Sequence, residues 1–290
     1  MHARAVAATT TALLGIAAFL LPTADARTGS PRTPPTVLAH RGASAYAPEN
    51  TLEAVDKAAG LGITWVENDV QRTKDGELVV VHDDNLRRTT DAEEVFPGRA
   101  PWKVKDFTAA EIARLDAGSW FGPAYAGARV PTLQRYLHRV ERHHQKLLLE
   151  IKNPAQYPGI ERQILKTLGN EGWLDRAQLG RLIVQSFSAD SVRTVHDLEP
   201  GVRTGFLGTP PVADLPAYAE FTDQINPSHS SISAGYVAAV HAFTGPRGEP
   251  LEVFTWTVDD AAGARRVAGY GVDGIITNKP DVVRDAVGGS

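Results

Sequence analysis

Thr64-Trp65-Val66-Glu67-Asn68-Asp69-Val70 is an apolar, β-prone run that carries two carboxylates. Alternate side chains of a strand share a face, so Glu67 and Asp69 point one way and Val66 and Val70 the other. Two charges on one buried face are costly unless a cation or an opposite charge neutralises them. The run therefore reads as a strand that ends in a functional site. Lys146 to Lys152 repeats the pattern, with Glu150 and Lys152 on one face.

Further β-prone runs lie outward from these two, at Thr36–His40, Arg181–Phe187, Val202–Leu207, Asp223–Pro227, Leu251–Val258 and Gly274–Thr277. Helix-compatible stretches alternate with them: Asn50–Leu61, Thr132–Gln145, Gly159–Glu171, Ala189–Leu198, Val212–Phe221, Ser233–His241, Asp259–Gly269 and Asp281–Val287. Eight strands each followed by a helix suit an α/β (β/α)8 TIM barrel, which takes about 250 residues. A doubly wound open sheet is the runner-up, because periodicity does not say whether a sheet closes. One region breaks the rhythm. Lys74-Asp75-Gly76 signals a turn and Glu77–His82 a hairpin partner. The stretch from about 83 to 131 then forms a long insertion after the second strand, read as a lid or rim, a small packed subdomain, or both.

The chain has 290 residues, 42% hydrophobic and 22% charged, with a formal net charge of −4. That composition excludes a disordered or collagen-like chain, and mild acidity argues against a nucleic-acid partner. There is no cysteine, which removes cysteine nucleophiles, iron–sulfur clusters and disulfides and leaves any metal to His, carboxylate or backbone oxygen. At the start, His2 and Arg4 precede an apolar stretch from Ala5 to Leu21, then Pro22 and Ala24-Asp25-Ala26. Residues 1–26 read as a signal peptide cleaved after Ala26, 27–35 as a flexible lead-in and 36–290 as one barrel domain, secreted and without a membrane span once the signal is removed. The oligomeric state is left open.

Glu67, Asp69 and Glu150 all fall near the C-terminal ends of their strands, where barrel enzymes place their chemistry. Three carboxylates without cysteine or clustered His suit Mg²⁺ or Ca²⁺ better than zinc. His40 and His82 close two other runs, and two strand-end histidines beside an acidic metal site point to an acid/base pair. Arg41 and Lys152 add positive charge at the same rim. Together these groups suit a phosphate ester.

His40-Arg41-Gly42, Pro48-Glu49-Asn50-Thr51, the run from Glu67 to Gly76 and Val80-Val81-His82-Asp83 stand in an order that resembles glycerophosphodiester phosphodiesterases. Pro131-Thr132-Leu133, Glu150-Ile151-Lys152, Gln185-Ser186-Phe187, Trp256-Thr257-Val258 and Asp273 to Thr277 extend the resemblance to about Pro280. The resemblance implies a TIM barrel with a small insertion, and one divalent cation, Ca²⁺ or Mg²⁺, on Glu67, Asp69 and Glu150. It implies His40 and His82 as the catalytic histidines, Arg41 and Lys152 at the phosphate, and Trp256 on the glycerol side. The substrate would be a small glycerophosphodiester, such as glycerophosphocholine or glycerophosphoethanolamine, split to sn-glycerol 3-phosphate and an alcohol. Gly42 fits a loop whose backbone approaches the phosphate. Asn278 departs from the acidic residue common at that place. Two alternatives stand beside this reading: a phospholipase D-like barrel acting on sphingomyelin or lysophospholipids, and a non-catalytic glycerophosphodiester-binding barrel. The first generally lacks the His-Arg-Gly and Pro-Glu-Asn-Thr combination, and the second has no need of an acid/base pair.

Other signals carry less. Gly269 to Gly274 has the spacing G-x-G-x-x-G but follows a helix and precedes a strand, the reverse of the dinucleotide fingerprint. His138, His143 and His144 read as a solvated outer helix. Arg87 and Arg88 read as insertion surface, with contact to an acidic substrate as the alternative. Trp102 and Trp120 read as insertion core, or as an exposed lipid-facing rim. Asp83 either orients His82 or caps the hairpin.

Overall fold

A computed structural model describes residues 1–2 and 33–288. Nearly all of residues 1–26, expected to be a signal peptide, and most of the expected lead-in at 27–35 lie outside the described residues. The chain divides into two units, residues 1–33 and 34–290, and the account below concerns the second.

Eight parallel strands close on themselves. They are β1 (Thr36–Ala39), β2 (Trp65–Arg72), β4 (Lys146–Ile151), β5 (Leu182–Ser186), β6 (Arg203–Leu207), β7 (Gln224–Asn226), β8 (Glu252–Thr255) and β9 (Gly274–Thr277). Each pairs with the next, and β1 pairs with both β2 and β9, so the sheet has no open edge. Closure excludes the doubly wound alternative. β3 (Leu78–Val80) runs antiparallel to the far end of β2, with Val70 opposite Val80. β2 is long enough for both partners: it pairs with β1 over Trp65 and Val66, then with β3 from Val70 to Arg72.

The helices are α1 (Leu52–Gly60), α2 (Ala92–Val95), α3 (Ala109–Ile112), α4 (Leu133–Arg142), α5 (Ile160–Asn170), α6 (Ala189–Leu198), α7 (Leu215–Tyr218), α8 (Ala234–His241), α9 (Ala261–Tyr270) and α10 (Pro280–Val287). Thr51, Thr132, Ser188, Ser233 and Asp260 cap α1, α4, α6, α8 and α9 by accepting from a backbone N–H in the first turn, each cap worth about 1 kcal/mol. The helix expected over Val212–Phe221 is only a 3₁₀ turn followed by the four-residue α7. Pro216, which lacks an N–H, sits in the first turn of α7 and limits what can precede it. No helix among the described residues is long and apolar enough to cross a membrane.

Strand alternation sorts the core. Outward side chains such as Val66, Val70, Leu147 and Leu149 pack under the helices with Leu133, Leu137 and Ile164. Inward side chains Leu38, Trp65, Leu148, Ile183, Phe254 and Ile276 fill the barrel. One step further along the same strands come His40, Glu67, Glu150, Gln185 and Trp256. The barrel plug is thus the floor of the site. The insertion packs as a small subdomain of its own around Leu86, Phe107, Ile112 and Leu115, and no residue between 83 and 131 lines the cavity at the barrel mouth. Gly42 has φ +78°, and a Cβ there would lie 2.6 Å from Ala54. Its small size lets α1 approach the β1 loop, and it lies away from the cavity wall, contrary to the expected role beside phosphate.

Candidate active site

A cavity of about 90 Å³ opens at the C-terminal mouth of the barrel, and His40, Arg41, Glu67, His82, Glu150, Lys152 and Trp256 all line it. Parallel pairing puts Asp69 beside Glu150 and Glu150 beside Gln185, so two carboxylates 81 residues apart in sequence share one layer. Ligand oxygens of Glu67, Asp69 and Glu150 lie within 4.8 Å of one another, all buried.

Three carboxylates so close cannot all remain charged without a cation. Burial, then Asp69 and Glu150, push the Glu67 carboxyl well above its ordinary range. Burial and Asp69 lift Glu150 to about 7, against the pull of Lys152. Burial also opposes ionisation of Asp69, but Arg41 and Lys152 outweigh it and hold that carboxyl low. Glu67 Oε1 and Asp69 Oδ1 are buried without a hydrogen-bond partner. Orphaned oxygens in an all-carboxylate set are what a hard divalent cation takes as ligands, so the residues fit such an ion.

Two basic groups border the cluster. Lys152 Nζ lies 2.7 Å from Glu150 Oε1 and 3.7 Å from Asp69 Oδ1. Arg41 takes φ 56°, unusual for a residue with a side chain. That turn aims its N–H at Glu67 Oε2, 2.8 Å away, and brings Nε to 3.3 Å from Asp69 Oδ2. Arg41 Nη1 also donates to Glu49 at 2.9 Å. Asn50, also left-handed, clasps Asp69 at both ends: its Nδ2 donates to Oδ2 at 2.8 Å and its Oδ1 accepts from the backbone N–H at 3.3 Å.

The two histidines sit just beyond the ends of β1 and β3, and each ring has a partner at Nδ1. Asp259 fixes the Asn278 amide by accepting from its Nδ2 at 2.7 Å. Asn278 Oδ1 then accepts from His40 Nδ1 at 2.7 Å and from the Ser44 hydroxyl at 2.7 Å. His40 Nε2 is left facing the carboxylates, 4.0 Å from Glu67 Oε2. Burial, with Arg41 beside it, lowers His40 to about 4. His82 Nδ1 lies 2.7 Å from Asp83 Oδ1, which settles the orienting role for Asp83. Hydrogen bonds from Arg88, against partial burial, hold Asp83 down at about 2, so it is a carboxylate at neutral pH. The buried Gln71 amide donates to the carbonyls of Val81, His82 and Asp83 and fixes the backbone that carries the ring.

Trp256 forms one wall, its Nε1 donating to the Asn226 carbonyl at 2.8 Å and its ring edge-on to Phe187 with centroids 5.6 Å apart. Phe187 is 53% exposed at the rim.

Sequence order matches residues 40–282 to the profile of the glycerophosphoryl diester phosphodiesterase family. This chain belongs to that family. A glycerophosphodiester phosphodiesterase of Bacillus subtilis (strain 168) is 34% identical over 287 residues, covering 93% of each chain. One from Caldanaerobacter subterraneus subsp. tengcongensis is 35% identical over 259 residues, 87% of this chain and 97% of that one. Among solved structures, an Oleispira antarctica phosphodiesterase in complex with the product sn-glycerol 3-phosphate superposes with a TM-score of 0.74 at 27% identity, covering 87% and 96%.

Within this family member, every site residue expected from sequence lines one cavity except Asp69, which stands behind its wall within 4.8 Å of Glu67 and Glu150. Asn278, Asn50, Glu49 and Gln71 were not singled out for the roles they take. Asn50 and Glu49 sit inside the quoted Pro-Glu-Asn-Thr run, and for Gln71 the cue in the sequence is a polar residue two places past Asp69 on the same strand face. Asn278 had a signal only as a departure. The adjacent arginines part ways: Arg87 pairs with Glu93 on the surface, whereas Arg88 bonds Glu49 and Asp83. Trp102 packs in the insertion, its Nε1 donating to the Phe96 carbonyl, while Trp120 is 42% exposed. His138 and His143 bind Glu171 and Asp56 on the outside of the barrel, and Gly271 ends α9 in the left-handed conformation.

Proposed function

We propose that this chain cleaves glycerophosphodiesters, glycerophosphocholine and glycerophosphoethanolamine among them, to sn-glycerol 3-phosphate and an alcohol. The observation that carries the reading is that two held imidazoles, two basic side chains and two carboxylates of a buried three-carboxylate cluster line a single cavity. Membership of the family makes the chain a phosphodiesterase by class. The product complex of the Oleispira relative supports sn-glycerol 3-phosphate as the common product.

Glu67, Asp69 and Glu150 would hold one divalent cation, Ca²⁺ or Mg²⁺, which supplies neutralisation of charge on the phosphoryl oxygens. Arg41 and Lys152 meet the remaining phosphate charge, and their own carboxylate partners keep them ionised in a buried setting. His40 and His82 each present Nε2 to the cavity, because Nδ1 is engaged by Asn278 and by Asp83. One ring takes the proton from the attacking hydroxyl, and the other returns a proton to the departing alcohol oxygen. Trp256 and Phe187 offer an apolar wall to the glycerol carbons. The attacking group is water or the neighbouring glycerol hydroxyl, and a cyclic phosphate seen by phosphorus NMR identifies the latter.

The deciding assay is release of sn-glycerol 3-phosphate from glycerophosphocholine. Turnover is expected for the wild type, loss in EDTA with recovery on adding Ca²⁺ or Mg²⁺, and loss in His40→Ala. Unchanged turnover in EDTA removes the metal from the reading; tight binding without turnover makes the chain a capture protein. Faster cleavage of lysophosphatidylcholine than of glycerophosphocholine favours the lipid-cleaving alternative. We also propose export through the 1–26 signal, which predicts a secreted chain whose first residue on Edman sequencing is Arg27.

A further inference from the structure

Arg88 stands in the insertion, six residues after His82, and lines no part of the barrel-mouth cavity. Its guanidinium is nevertheless committed to two carboxylates at once. Nε and Nη2 donate to Asp83 Oδ2 and Oδ1 at 2.7 and 3.0 Å. Nη1 and Nη2 donate to Glu49 Oε2 and Oε1, both at 2.7 Å. Each pair is bidentate, the geometry in which guanidinium binds most strongly and with a defined orientation.

Both carboxylates have a second duty in the site. Asp83 Oδ1, the oxygen that accepts from Arg88 Nη2, also engages His82 Nδ1 at 2.7 Å. Glu49 Oε1, which accepts from the same Nη2, also accepts from Arg41 Nη1 at 2.9 Å. One guanidinium therefore fixes the rotamer of the acid that holds a catalytic imidazole and of the acid that holds a phosphate-facing arginine. A carboxylate with a single partner turns about its last torsion with little restraint; clamped from the far side, it presents one oxygen to the ring. Arg87, next in the chain, takes no part: it pairs with Glu93 and lies over the Trp102 ring at 5.5 Å.

We propose that Arg88 is a positioning residue for the phosphodiesterase reaction: it locks Asp83 against His82 and Glu49 against Arg41, and so makes the insertion part of the active-site support. The proposal rests on the catalytic roles proposed above for His82 and Arg41. It gives the insertion a purpose other than a lid, since it reaches the His82 ring and the phosphate-facing arginine through these two carboxylates.

The test is steady-state kinetics on glycerophosphocholine with a saturating divalent cation, combined with NMR of the imidazole protons. Arg88→Ala is expected to lose about 10–100-fold in kcat, the loss typical of partners that hold a reacting group in place, while KM moves less than about threefold. Arg88→Lys keeps the charge but not the fork; it is expected to fold as the wild type does and to keep most of the kcat loss. Arg87→Ala is expected to stay within about twofold of wild type. Asp83→Asn added to Arg88→Ala should cost little more than Arg88→Ala alone, because Arg88 reaches the His82 ring through Asp83. The wild type should show a slowly exchanging, far-downfield His82 Nδ1–H proton, identified by its absence in His82→Gln, which Arg88→Ala broadens or abolishes.

Wild-type kcat in a folded Arg88→Ala or Arg88→Lys, fully multiplicative losses in the double variant, or an unchanged imidazole proton would each overturn the proposal. The NMR arm needs no turnover. If the wild type fails to cleave glycerophosphocholine with either cation, the functional reading falls while the proton signal still decides whether Arg88 holds His82.

Discussion

Asn68 sits between Glu67 and Asp69 in the strand that anchors the site, yet its side chain faces the other way. Its strand neighbours on that face, Val66 and Val70, belong to the apolar layer under the helices. Asn68 is fully buried, and neither end of its amide has a hydrogen-bond partner. An unsatisfied buried amide costs about 1–3 kcal/mol. Asn68→Leu, of nearly the same shape, is therefore expected to raise stability by about 1 kcal/mol, read as a higher urea midpoint at unchanged slope, and to leave kcat alone. A lower midpoint would mean that the amide has a use in this layer. Asn278 is the opposite case, a polar residue with every atom occupied. Asn278→Ala frees His40 Nδ1 and Asp259 Oδ2 together and should lower kcat about 10–100-fold. The expected Tm change is small, because the group is only partly buried.

At the scale of elements, one carboxylate pins the Gly118–Gly127 loop of the insertion. Asp116 accepts from the backbone N–H groups of Gly118, Ser119 and Gly127 and from the Ser119 hydroxyl, all at 2.7–2.8 Å. Burial opposes its ionisation, but these donors outweigh burial and hold it far below the usual carboxylate range. A depressed folded pKa means a contribution that is complete above the unfolded value, about 3.9, and that is lost as pH falls toward the folded one. The wild-type Tm should therefore fall more steeply than that of Asp116→Asn between about pH 4 and pH 2. Parallel Tm curves would show that the loop takes no stability from this charge. The link between β1 and α1 is tested by Gly42→Ala, which places a methyl 2.6 Å from Ala54 at a positive φ. It is expected to cost about 2 kcal/mol or more, through overpacking and backbone strain together.

For the whole molecule, the closed barrel brings carboxylates from β2 and β4 to one mouth and leaves them mutually repelling. A cation bound there should stabilise the fold by linkage, about 2.7 kcal/mol at a hundredfold excess over its Kd. Titration with Ca²⁺ or Mg²⁺ is expected to raise Tm to a plateau in the wild type, EDTA to reverse it, and Glu67→Gln to blunt it. An equal rise in Glu67→Gln would place the ion elsewhere. The eight barrel strands, most of the outer helices and the faces shared by Glu67 with Asp69 and by Glu150 with Lys152 were legible in the sequence, because side-chain alternation and apolar runs are local properties. So were His40, His82, Glu67, Asp69, Glu150, Arg41 and Lys152, since each ends or follows a strand or stands two residues from another charge. Closure of the sheet was not legible, because it depends on β1 meeting β9 across some 240 residues. The same holds for Asn278 on His40 and for Arg88 between Glu49 and Asp83: hydrogen bonds between loops distant in sequence leave no period or spacing to read. Sequence alone determined which chemistry this chain carries and on which strands. Only the tertiary structure decided how its histidines are held, because a ring is oriented by whatever loop the fold sets beside it.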